Sequence, residues 1–129
     1  MITKEFSEQF AQEWIDAWNS HDIDQIISHY AEALEFKSPL IVERYNDPAG
    51  TIYQREKLKE YFLIGLTKNP SLSFKLVEVL TGVDGLTLYY QNARGGLTAE
   101  YFEFNQQQEV VKCVSCYSET NRLQASSNE

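Results

Sequence analysis

Positive charge is scarce in this chain. Eleven lysines and arginines stand against 19 aspartates and glutamates, giving a formal net charge of −8 and a pI near 4.7. A surface of that sign repels phosphate backbones and anionic lipid headgroups, so neither nucleic acid nor a membrane surface is an expected partner. No apolar run approaches the ~20 residues of a membrane helix. The opening MITKEFSEQF lacks the apolar stretch of a secretion signal. The expectation is a cytoplasmic protein. Histidine is rarer still, with two in the chain. His21 falls in a turn and His29 lies off the apolar stripe of its segment, so neither is expected to be catalytic. No glycine-rich phosphate loop and no nucleophile-elbow serine occur. No cofactor and no metal site is expected.

Cysteine is limited to Cys113 and Cys116, in VVKCVSCYS. The C-x-x-C spacing invites a redox or metal reading, but redox motifs of this kind open a helix, and this segment reads as a strand. On a strand, residues three apart point to opposite faces. Two such sulfurs cannot share a metal or readily join in a disulfide. Two thiols in a reducing compartment are the expected state.

What is present is a well-patterned globular chain. Its 43% hydrophobic and 23% charged content is ordinary for folded domains. The 129 residues and 14.9 kDa suit a single domain, drawn at 1–120, followed by a polar tail at 121–129 that is expected to fray. The stretch WIDAWNSHDIDQIISHYAEALEFKSP organises it. Phe6, Phe10, Trp14 and Trp18 recur every four residues on a first helix, with Thr3 as its cap. Asp22 caps a second helix, with Gln25 at the capping-box position and Ile23, Ile26, Ile27 and Tyr30 as its stripe. Leu34–Ser38 alternates as a strand stopped by Pro39. Turn residues at Asn46, Asp47, Pro48 and Gly50 place a long ordered loop over a pocket mouth. A third helix runs from about Gln54 to Lys68. Four strands follow, near 73–80, 86–92, 97–105 and 109–118, joined by short turns as an antiparallel meander.

The predicted class is α+β, a cone-shaped curved antiparallel sheet packed on three helices. Strand 97–105 sets the facing. Thr98, Glu100, Phe102 and Phe104 share one side, and two phenylalanines should meet the helices, which puts the Glu100 carboxyl on the core side. Leu97, Ala99 and Tyr101 make the other side partly apolar, which predicts a covering second copy of the chain.

The segments WIDAWNSHDIDQIISHYAEALEFKSP, REKLKEYFLIGL, LYYQN and AEYFEFNQQQEVV resemble the nuclear transport factor 2-like superfamily, of cystatin-like fold, and within it the SnoaL-like group. The likeness spans about Phe6 to Ser118. It implies the cone fold, but the superfamily holds isomerases, dehydratases, epoxide hydrolases, cyclases and binding domains alike. In its ketosteroid isomerases the general base precedes the proline that ends the first strand, and Ser38 holds that position here. The oxyanion-hole tyrosine corresponds to Trp14 and a supporting tyrosine to Phe62, beside Tyr61. Glu100 holds the place of the oxyanion-hole acid, and Tyr30 matches a network tyrosine. A hydroxyl cannot replace the base, so steroid isomerisation is not expected. In members resembling limonene epoxide hydrolase, an arginine sits where this chain has Thr98. Their second acid has no counterpart in VVKCVSCYS, so that chemistry is not expected either.

What the resemblance and the facing leave is small-molecule binding in an apolar cone, for an apolar or aromatic ligand. The candidate ligand-binding residues are Trp14, Trp18, Tyr30, Phe36, Ser38, Phe62, Tyr89, Phe102, Cys113, Ser115 and Tyr117. Alternation does not decide between Tyr89 and Tyr90. The alternative is an enzyme of the isomerase, cyclase or dehydratase type with Glu100 as acid.

Overall fold

Thr3 Oγ1 accepts from the Phe6 backbone N–H and starts helix α1, Lys4–Ser20. Its four-residue aromatic spacing turns Phe10, Trp14 and Trp18 inward, all of them buried. Asp22 accepts from the backbone N–H groups of Asp24 and Gln25 and opens α2, Ile23–Ile27. The computed structural model describes residues 1–118; the domain boundary expected near 120 and the polar tail at 121–129 lie outside the described residues.

The chain then departs from the sequence expectation. Tyr30 does not continue the second helix; it begins strand β1, Tyr30–Lys37. The His29 carbonyl accepts from the Val110 N–H, and β1 pairs parallel with the last strand. Sheet pairing outweighs the helical spacing of Ile23, Ile26, Ile27 and Tyr30. The segment expected to be a loop holds helix α3, Pro39–Tyr45, and strand β2, Thr51–Gln54. Pro39 ends β1 and also serves as first residue of α3, where its missing N–H costs nothing. Gly50 turns the chain from α3 into β2 with φ +58, and a Cβ there would meet Val42 Cγ2 at 2.7 Å.

Helix α4 spans Arg55–Lys68. Strands β3, Lys75–Thr81, β4, Gly85–Gln91, β5, Leu97–Phe104, and β6, Val110–Tyr117, form the expected antiparallel meander. The six-stranded order is β2-β1-β6-β5-β4-β3, antiparallel except at β1/β6. The sheet curls without closing, and the helices fill its concave side. Among the described residues no helix is long and apolar enough to cross a membrane.

Facing along β5 is as the pattern required. Thr98, Glu100 and Phe102 are buried, whereas Ala99 and Tyr101 are half-buried on the outer side and Leu97 is exposed. Cys113 is buried and Cys116 exposed, on opposite faces of β6, and both are free thiols.

Candidate functional site

Between the concave sheet, α1, α3 and α4 lies a cavity of about 120 Å³. An apolar cavity of about 150 Å³ can hold a benzene-sized guest; this one is somewhat smaller, on the scale of a single ring, so any substituent would extend towards the half-exposed outer end. Trp14, Trp18, Phe36, Phe62, Phe74 and Tyr90 give it aromatic walls. Phe74 stacks on Trp14 with ring centroids 5.8 Å apart and lies 4.8 Å from Tyr90; Phe62 meets Trp18 edge-on at 4.9 Å.

The inner end of the cavity is polar. Glu100 is 4% exposed and lies opposite Ser115 in the β5/β6 register. Tyr90 donates its O–H to Glu100 Oε1 at 2.7 Å, and Cys113 donates its S–H to Oε2 at 3.2 Å. Burial raises the Glu100 pKa above its ordinary value, with side-chain hydrogen bonds from Tyr90, Cys113 and Ser115 opposing the shift. Burial also raises the Tyr90 hydroxyl and the Cys113 thiol well above their ordinary values, and the Glu100 charge adds to the effect. All three groups are therefore held towards their neutral forms. A further wall atom is polar and unsatisfied: Trp18 Nε1 is buried with no hydrogen-bond partner among the described residues. Trp14 differs: its Nε1–H is committed to Tyr30 Oη at 3.1 Å.

The outer end is built by α3, the end of α4 and the β4–β5 turn. Leu40, Arg44, Tyr61, Asn69, Leu72, Asn92 and Arg94 reach it. Arg94 Nη2 donates to Asn69 Oδ1 at 2.7 Å, tying the turn to the end of α4.

Of the sequence candidates, Trp14, Trp18, Phe36, Phe62, Glu100, Ser115 and Tyr117 line this cavity together. Five others lie off its wall. Tyr89 pairs with Ala99 on the outer face, and its neighbour Tyr90 is the inward tyrosine, because β4 pairs with β5 so that Tyr90 shares the face of Thr98. Tyr30 and Phe102 are fully buried behind Trp14. Cys113 reaches Glu100 from the core side. Ser38 caps α3, its Oγ accepting from the Leu40 N–H at 3.2 Å, and its side chain also hydrogen-bonds Tyr117 on the cavity wall. Sequence reasoning missed Phe74, Asn69 and Arg94, and it left Tyr90 undecided against its neighbour Tyr89. Among the described residues no group of histidine, cysteine and acidic side chains could hold a metal ion.

A curled mixed sheet enclosing helices and a pocket is the architecture of nuclear transport factor 2-like proteins. A SnoaL-like protein of unknown function from Burkholderia thailandensis shares 41% identity and superposes with a TM-score of 0.88, the match covering 92% of this chain and 99% of that one. The chain belongs to the SnoaL-like family. At 12% identity the fold alone is shared with an NTF2-like protein of unknown function from Cytophaga hutchinsonii (TM-score 0.68, covering 95% of this chain and 99% of that one). The same holds for TerC co-crystallised with polyporic acid (12% identity, TM-score 0.74, covering 94% and 98%). No protein-family model matches the chain, and no curated protein does.

Proposed function

We propose that the protein binds a small aromatic or apolar molecule bearing a hydrogen-bond acceptor in this cavity. One observation carries the proposal: Trp18 Nε1 is a buried wall atom with no partner among the described residues, whereas buried polar groups in native proteins are almost always hydrogen-bonded. When protonated, Glu100 adds a second donor at the inner end. A carbonyl, ether or phenolic oxygen on a ring would meet these donors while its ring packs against the aromatic walls.

Acetophenone is a suitable probe, with ethylbenzene as its acceptor-free match. Acetophenone is expected to move the indole N–H signal of Trp18 downfield in an NMR titration. The Trp14 signal should move less, because that N–H already has a partner. Ethylbenzene should bind more weakly, by about threefold to tenfold for one neutral hydrogen bond. If neither compound moves either indole at millimolar concentration, the cavity is not a ligand site.

A second reading rests on the Glu100 carboxyl as a proton donor to a substrate oxygen, in an isomerase, cyclase or dehydratase reaction. The described lining residues include one carboxyl and no histidine, so an acid is present without a paired base. That favours binding over two-group acid–base chemistry.

We also propose that the outer sheet face forms a homodimer. Leu80, exposed by 55%, lies in one cross-strand row with Thr87, Tyr101 and Val114, beside Tyr89 and Ala99 in the next. Light scattering at micromolar concentration should give about twice the chain mass, and Tyr101→Glu should halve it. A monomer for the unaltered chain would refute the dimer.

A further inference from the structure

The chain is acidic as a whole, with a net charge of −8. Among the described residues, the ionisable side chains lining the cavity, tyrosines aside, are Arg44, Arg94 and Glu100. Glu100 sits at the buried inner end and both arginines at the half-exposed outer end.

Arg94 is held in place rather than free to swing. Its backbone N–H donates to Asn92 Oδ1 at 3.1 Å, and its guanidinium donates to Asn69 Oδ1 at 2.7 Å. Asn69 is itself fixed, its Nδ2 donating to the Gly65 carbonyl at 2.9 Å. The guanidinium thus spans from the β4–β5 turn to the end of α4. Proximity to that helix C-terminus favours a cation there, and this explains one N–H. A guanidinium has five donors. The partner Arg94 does have is a neutral amide, and among the described residues no carboxylate pairs with it. A half-buried, immobilised guanidinium with donors to spare, on the rim of an aromatic cavity, is built to receive a planar anion.

The spacing fits one ring. Glu100 and Thr98 are two residues apart on β5, about 7 Å along the strand, and Thr98 is joined to the turn by Asn92, which donates to its Oγ1 at 3.2 Å. A ring with an oxygen at one end and an anionic group at the other covers that distance.

We propose that the ligand of this cavity is an organic acid: an aromatic or apolar body with a carboxylate, or a similar delocalised anion, held by Arg94 at the rim, and a neutral acceptor oxygen at the Glu100 end. This rests on the binding function proposed above and narrows it to a substrate class.

The test compares 4-acetylbenzoate with 4-acetylbenzamide, which share the ring and the acetyl oxygen and differ in charge, using calorimetry and the two indole signals. The acid is expected to bind about tenfold or more tightly than the amide, the range for a hydrogen bond to a charged group. Arg94→Gln should reduce that preference to within about twofold. Arg94→Lys should keep part of it, because charge remains without the planar fork. The preference should shrink as salt is raised, since the rim is partly solvated. If acid and amide bind alike and both move the Trp18 signal, the cavity binds ligands but the anion preference is refuted. If the acid binds without moving either indole, the anion sits on the surface and the proposal is likewise refuted. If acetophenone itself fails, the binding function fails with it.

Discussion

Trp14→Ala is expected to lower the unfolding free energy by about 3–5 kcal/mol. Trp14 is 1% exposed and packs against Trp18, Phe74, Tyr90 and Phe102, with ring centroids between 5.3 and 6.0 Å. Removing the indole deletes all four contacts and leaves the Tyr30 hydroxyl, fully buried, without the N–H that now donates to it. The void would also merge with the neighbouring cavity, so its walls could not collapse without closing that cavity. Against the roughly 5–15 kcal/mol that holds most domains folded, this loss is severe. Urea denaturation should show it as a lower midpoint. Trp14→Phe keeps most of the ring area and should lose less than half as much. A Trp14→Ala loss below about 1 kcal/mol would mean that α1 is not packed on the sheet through this residue.

The second large effect concerns Glu100. Its pKa is raised by burial, so the folded state binds its proton more tightly than the unfolded chain does. By linkage, this group's contribution to stability is fully present below the unfolded pKa. It is lost as pH rises through the folded value and stays lost above it. Each tenfold weakening of the acid corresponds to about 1.4 kcal/mol. Glu100→Gln removes this component and preserves size and a donor. Urea midpoints measured across pH 4–8 should therefore converge at low pH and separate at high pH, with the variant the more stable. The difference between the two curves cancels the other carboxylates, which both proteins share. Glu100→Ala should instead weaken acetophenone binding, because it deletes the donor. It would also leave Tyr90 and Cys113 without the acceptor they now share. A Glu100→Gln curve parallel to that of the unaltered chain at all pH values would mean that burial does not perturb this carboxyl.

How much of this was legible beforehand depended on how long each pattern ran. Helix α1 was readable because its aromatic stripe persists over four turns, with Thr3 at its start. The meander was readable because three short turns separate four alternating segments. The phase of β5 followed from Phe102 and Phe104, and it placed Glu100 correctly. Short elements were not readable. Helix α3 has seven residues, and its sequence marker, Ser38-Pro39, doubles as the end of a strand. The start of β1 carried helical spacing, and only the pairing of Tyr30 with Val110 across the sheet decides it. Tyr89 and Tyr90 are chemically alike, so their phase was set by register with β5 and not by pattern. Arg94 sits in a turn whose glycines dominate its reading, and its reach to Asn69 is a tertiary fact. The inner end of the site therefore lay in strand alternation, and the rim lay in loop placement.

The carboxyl at the inner end of the cavity can be observed directly. With the side chain carboxyl of glutamate labelled with carbon-13 and Glu100→Gln used to assign the signal, NMR titration gives the Glu100 midpoint alone. A midpoint above the ordinary 4.5, moving higher still when acetophenone occupies the cavity and accepts the carboxyl's proton in a hydrogen bond, is the expected result. A midpoint at or below 4.5, unmoved by acetophenone, would contradict a ligand-facing Glu100 whose proton is held more tightly by burial.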